Sequence, residues 1–202
     1  MTTIMNTLPT RKELSHERIV EVAARAIRRA GFQGVGVADI MKEAGLTHGG
    51  FYAHFASRDA LLVEALQRAG QDNAAALAQG ATRRLARGES RFAALVQAYL
   101  HESQLAGTEC GCVVAALASE MPRQDEAVAD EARRRVTALL ALVREALPEG
   151  SEPARAELAT ASLVGTLQLA RTLGAKGGKA LLERSRPALI AAFDSEPSPG
   201  AR

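Results

Sequence analysis

Aromatic residues make up only 3% of this 202-residue chain, and tryptophan is absent. That scarcity argues against a large aromatic cage for a ligand. Cysteine is nearly absent too: Cys110 and Cys112 are the two present, too few for a disulfide framework and in keeping with a reducing compartment. β-Branched runs are scarce, which disfavours sheets. No apolar run reaches the length of about 18 residues that spans a bilayer, and residues 1–9 hold no apolar stretch of signal-peptide length. A cytoplasmic protein with no membrane association is the expectation. Excess charge is also missing. With 25 basic and 23 acidic residues the net charge is +2, so any contact with a polyanion has to come from local placement.

What is present forms helices. Hydrophobic residues account for 47% of the chain and charged ones for 24%, enough for a folded core, and abundant Ala and Leu favour an all-α protein. Ser15 can cap a first helix whose stripe is Ile19, Val22, Ala23, Ala26, Ile27 and Ala30. Gly31 ends it, with Phe32 folding back on Ile27. A short helix over 37–44 stops at Gly45, Thr47 can cap another over 48–55, and Ser57 can cap a longer one carrying Leu61, Leu62, Ala65, Leu66 and Ala69, whose end Gly80 leaves open. Beyond Gly88 the periodicity predicts helices over 89–105, 112–120, 124–147, 153–173 and 179–193. Their breaks are Gly107, Pro122, the loop 148–151 and the glycine-rich stretch 174–178, and Pro187 should kink or restart the last helix. Thr-, Pro- and Ser-rich ends predict disorder over 1–14 and 195–202, flanking a head over 15–62 and a helical body over 63–194.

Two short helices separated by Gly45-Leu46-Thr47 make a helix-turn-helix pattern. In that arrangement the second helix meets base edges in the major groove while the first braces across the backbone. A helix of about eight residues is ~12 Å long, matched to a groove about 12 Å wide. Gly49 and Gly50 each cost about 1 kcal/mol against Ala inside a helix. Missing side chains let the backbone approach another surface closely; merely tolerated glycines are the plainer alternative. Arg58, in the first turn of the next helix, opposes the macrodipole unless a phosphate sits there; a solvated arginine is the alternative.

The stretch GFQGVGVADIMKEAGLTHGGFYAHFASRDALL, residues 31–62, resembles the signature of the tetracycline-repressor (TetR/AcrR) family of bacterial regulators. The residues that carry the resemblance are Ala44-Gly45-Leu46-Thr47, Phe51-Tyr52, His54-Phe55, and Ser57-Arg58-Asp59 ahead of Leu61-Leu62. It implies an N-terminal three-helix helix-turn-helix head on a C-terminal helical regulatory and dimerisation body. It further implies a repressor that binds a palindromic double-stranded DNA operator and is released by a small-molecule effector. Thr47, His48 and Gly49 would lead the recognition helix, Tyr52 and His54 would meet phosphate or bases, Arg58 would touch phosphate, and Phe51 and Phe55 would be structural. Val37 stands where the family commonly places a capping Thr or Ser that touches the DNA backbone. Ala53 and Gly50 are smaller than usual, so base readout would rest on few side chains.

For the body, the resemblance implies a homodimer formed through the last two long helices. Leu158, Ala161, Gly165, Leu169 and Thr172 lie at helical spacing and suit close packing; an internal core helix is the alternative. A pocket among the middle helices would draw on Phe92, Val96, Tyr99, Leu100, Val113, Leu117, Met121, Leu139, Leu142 and Val143, all equally serviceable as plain core. Tyr99, His101, Glu102 and Glu120 are the polar groups able to orient a guest. Cys110-Gly111-Cys112 leaves three readings open: small residues at a helix start, a thiol sensor of oxidants or electrophiles, or a metal site with His101 or Glu109, whose spacing fits no common zinc pattern. A disulfide within the pair would be strained. No cofactor or metal is expected. The competing functions are a thiol-dependent helical enzyme and a sequence-tolerant architectural DNA binder. The glycine run at 174–179 lacks the spacing of a phosphate loop, and Ala180 replaces its hydroxyl.

Overall fold

The computed structural model describes residues 9–195, and among these every regular element is helical. Helix α1 (Arg11–Ala30) begins ahead of Ser15. Thr10 and Glu13 close a capping box: the Thr10 hydroxyl accepts from the Glu13 N–H at 3.2 Å, and the Glu13 carboxylate accepts from the Thr10 N–H at 2.7 Å. The disorder expected over residues 11–14 is thereby corrected; that expected of 1–8 and 196–202 lies outside the described residues. Helix α2 (Val37–Glu43) ends in a turn in which Gly45 sits at φ 71° and the Leu46 N–H donates to Met41 O at 2.8 Å.

The second member of the helix-turn-helix is a 3-10 helix, His48–Ala53, rather than an α-helix. The Thr47 side chain makes no cap. Two glycines and an uncapped start favour the tighter i+3 pattern seen from Gly50 N to Thr47 O (3.0 Å) and from His54 N to Phe51 O (2.9 Å). Ser57 does cap α3 (Arg58–Leu85), accepting from the Ala60 N–H at 3.1 Å. This helix runs unbroken through Gly80, so residues 62 and 63 belong to one continuous rod.

The stripe foreseen on α1 packs on α3, except for Ala30, which is exposed at the end of the helix. Ile19, Val22, Ala23, Ala26 and Ile27 meet Leu61, Leu62, Ala65, Leu66 and Ala69, none more than 2% exposed. Each large aliphatic side chain so buried contributes about 1.5–3 kcal/mol.

In the body, the stretch expected as one helix over 89–105 divides into α4 (Arg91–Tyr99) and α5 (Ser103–Ala106). His101 Nδ1 accepts from the Ser103 N–H at 3.2 Å, a local bond that competes with the helix ladder. The helix expected over 112–120 shortens to α6 (Val113–Leu117), followed by a 3-10 turn at Met121–Arg123 where Pro122 removes a donor. Helices α7 (Glu126–Ala146) and α8 (Pro153–Thr172) lie where expected, but α9 (Gly174–Phe193) starts directly after α8. The expected break over 174–178 is its first turn, in which buried Gly178 lets α9 press against the Ala170 carbonyl of α8. Pro187 sits inside α9 without ending it. Glu131, 1% exposed, links α7 to α3 by taking Gln67 at 3.2 Å besides Arg134 (2.8 Å) and Arg135 (2.7 Å).

Candidate nucleic-acid interface

The head presents a small, rigid surface. Phe51 and Phe55 are buried and stack with their rings 5.6 Å apart; His16 of α1 stacks on Phe55 at 4.5 Å and binds Glu64 at 2.6 Å. Tyr52 stands edge-on to Phe51 at 5.2 Å yet is 75% exposed. Thr47, His48 and Gly49 are exposed beside it, while Gly50 and Val37 are half-buried. A β-carbon at Gly49 would meet nothing of the protein within 4 Å. The fold therefore does not require glycine at that position, and its bare backbone is open to an outside surface.

His54 is half-buried, with Nδ1 enclosed and unpartnered. Burial, helped by the charges of His16 and Lys12, holds its pKa below the ordinary histidine value. It is accordingly a neutral imidazole near pH 7. Lys12 and Arg18 escape a reading along the sequence because they lie far from the turn in the chain. The fold brings Lys12 of α1 within electrostatic reach of His54 and sets the Arg18 guanidinium 3.5 Å from where a Gly45 β-carbon would stand.

Arg58 is half-buried and already partly committed, since its guanidinium donates to the Phe32 carbonyl. The Phe32 N–H donates to the Glu120 carboxylate at 2.9 Å, so the body holds the other side of the same residue. Gly31, at φ 77°, makes this seat; a β-carbon there would lie 2.6 Å from Glu120 Oε1. Arg29 adds a second tie, joining Glu43 of α2 (3.0 Å) to Glu109 of the body (2.9 Å).

Most residues expected to line a pocket fill the core instead. Phe92, Val96, Tyr99, Leu100, Leu117 and Val143 are buried in one continuous cluster, whereas Met121 borders a separate cleft of about 420 Å³ against α7. Val113, Leu139 and Leu142 do border a cleft of about 410 Å³ between α3, α6 and α7, together with Cys112. His101 and Glu102 are on the surface, Glu102 paired with Lys179 at 3.1 Å. Cys110 is exposed and Cys112 is 2% exposed. Among the described residues no group of three metal-ligating side chains is assembled, and no helix is long and apolar enough to cross a membrane.

The family described as "Bacterial regulatory proteins, tetR family" matches residues 19–65, the span that builds this surface. A solved TetR-family transcriptional regulator from Agrobacterium tumefaciens superposes over 91% of this chain and 100% of its own, with a TM-score of 0.70 at 26% identity. Residues 19–65 are a TetR-family domain. With that domain and that fold the chain is a DNA-binding transcriptional regulator and not an enzyme. Among curated relatives it is similar to the HTH-type transcriptional repressor NemR of Escherichia coli, 28% identical over 142 residues that cover 68% of this chain and 69% of NemR. The reduced form of NemR shares the fold, with a TM-score of 0.68 at 22% identity over 91% of this chain and 98% of that one.

Proposed function

We propose that this regulator is a dimeric repressor that binds a palindromic operator, and that a signal received in the body lowers its affinity for DNA. The observation that carries the DNA-binding part is the exposed tip formed by Thr47, His48, Gly49 and Tyr52 on a buried Phe51–Phe55 base. Rigid positioning of a few exposed donors suits phosphate and base-edge contact. Tyr52 and His54 donate to phosphate or bases, His54 as a neutral imidazole. Arg58 works chiefly by fixing the junction of α1 and α3, with its remaining N–H groups turned to phosphate. Lys12 and Arg18 supply positive charge beside the tip.

Dimerisation is supported by the apolar face that α8 leaves open: Leu158 is 63% and Leu169 61% exposed, with Ala161, Gly165 and Thr172 on the same stripe. Exposed leucines in a row mark an interaction surface, and two-fold pairing of two heads calls for a palindromic site. In functional terms residues 15–62 read DNA, and residues 63–194 sense and dimerise in the cytoplasm. The repressor sign follows the relative NemR, a transcriptional repressor. The signal is an uncharged small molecule or a thiol-reactive one, for which the cleft bordered by Cys112 is the entry.

Fluorescence anisotropy against the DNA flanking the protein's own gene, with random DNA at the same salt, tests this reading. Specific binding by a dimer is expected, along with loss of affinity after mild oxidation or addition of the effector. Selection from random fragments that yields no preferred sequence would overturn it. Tyr52→Ala should weaken operator binding at least about tenfold, about 1.4 kcal/mol, with the melting temperature unchanged.

A further inference from the structure

We propose that the cleft between the end of α1 and α8 binds a small organic carboxylate, held between Arg28 of α1 and Arg171 of α8. This goes beyond the repressor reading, and the site shares no lining residue with the cleft bordered by Cys112.

The cleft has a volume of about 590 Å³ and is lined by Arg28 and Ala30 of α1, Ala115 and Ala116 of α6, and Gln168 and Arg171 of α8. Both of these arginines are buried with hydrogen-bonding capacity to spare. Arg171 donates Nε to the Gln104 carbonyl at 3.1 Å, but its Nη1 and Nη2 are enclosed without a hydrogen-bond partner. Burial lowers its pKa below the ordinary arginine value, and no carboxylate counters that. Arg28 is 4% exposed and donates Nη1 to the Ala69 carbonyl at 3.3 Å, while its Nε is enclosed and unpartnered. The carboxylate that faces it, Asp72 at 3.7 Å, already holds Arg68 at 2.8 Å. Burial lowers the pKa of Arg28 as well. Buried cations without an anion of their own are costly.

The remaining charges on the walls are engaged elsewhere. Arg29 is shared between Glu43 and Glu109, and Glu120 accepts from the Phe32 N–H at 2.9 Å. The complement of Arg28 and Arg171 is therefore an anion brought from outside. A carboxylate matches the planar fork of a guanidinium with two parallel hydrogen bonds. Ala30, Ala115 and Ala116 give the rest of such a molecule an apolar wall, which an inorganic oxyanion does not use.

Arg171 is poised to make that exchange. Its present seat depends on Gly111, where a β-carbon would overlap Nη2, and the seat satisfies Nε alone. Turning to a carboxylate gives up that one bond for a charge-assisted pair. The bound acid then joins α1 to α8 across the junction that Glu120 and Arg29 already bridge, holding the head at one angle to the body.

Isothermal titration calorimetry of the full-length protein with benzoate, without DNA, tests the site. Saturable binding is expected, at least about tenfold weaker in Arg171→Gln and partly restored in Arg171→Lys. Should Arg171→Gln fail to fold, Ala30→Leu, at an exposed position on the cleft wall, should weaken binding by filling the space. Hydrogen exchange along the last turn of α1 should slow when benzoate is present. No saturable binding, or binding that is equal in both variants, would overturn the proposal. So would benzoate binding that leaves α1 exchange unchanged, or inorganic phosphate binding as tightly as benzoate. Operator affinity is read separately. Specific operator binding by a protein that ignores benzoate would leave the repressor reading standing alone, whereas Arg171-dependent benzoate binding without any preferred operator would keep the site and remove that reading.

Discussion

Phe32 is held at both ends of its backbone, by Glu120 at the N–H and by Arg58 at the carbonyl. Arg58 was readable from the sequence as a cation near DNA, but its tie to a carbonyl 26 positions away was not. Arg58→Ala should therefore do two things, weakening operator binding and destabilising the fold by about 1–2 kcal/mol in urea denaturation. His54 supplies a second prediction at this scale. Its folded pKa lies below the ordinary value of 6.5, so the unfolded chain takes up the proton first as pH falls. The contribution to stability is complete above pH 6.5 and declines on acidification until the folded imidazole also titrates. NMR titration should place the His54 midpoint below 6.5, and His54→Gln should lose less of its melting temperature between neutral and mildly acid pH. Thr47, His48 and Tyr52, which the family resemblance singled out in the sequence, are all exposed in the fold. Lys12 and Arg18 were not singled out, because tertiary packing alone brings α1 to the turn.

At the scale of elements, helix existence was well marked and helix ends were not. The stripe on α1 and the Ser57 cap of α3 appear as expected because each depends on residues within one or two turns. The glycine run at 174–178 reads as a break by propensity, yet packing against α8 makes it helix, a tertiary gain outweighing a local cost of about 1 kcal/mol per glycine. The recognition segment errs the other way, its two glycines and missing cap tightening an expected α-helix into a 3-10 one. The tie between Phe32, just past α1, and Glu120, just ahead of the 3-10 turn at Met121–Arg123, gives a test of head-to-body attachment. Glu120→Ala leaves the Phe32 N–H without its partner and should cost about 1–3 kcal/mol. Hydrogen exchange at Phe32 and along the last turn of α1 should speed up, with the core of α3 unchanged.

At the scale of the molecule, the sequence placed a small stripe on α8 without deciding whether it faces its own core or a second copy. In the fold Leu158, Leu169 and Leu173 are 63%, 61% and 58% exposed. Leu169→Glu should yield a folded monomer in analytical ultracentrifugation with operator binding reduced by orders of magnitude, since two half-sites can no longer be engaged together. A dimer that survives this substitution would move the interface elsewhere.

One further consequence lies in the continuity of α3. Its 28 residues run without a break and pack on α1, α4 and α7. At 1.5 Å per residue that is a rod of about 42 Å. A rod does not pass on distance so much as angle: tilting it by about 5° at the body end swings the other end by ~4 Å at that length. In a symmetric pair the two swings add to ~7 Å, against half-sites spaced about 34 Å apart along the duplex. In the proposed dimer, a tilt of that size in α3 would put the two heads out of step with the pitch of DNA.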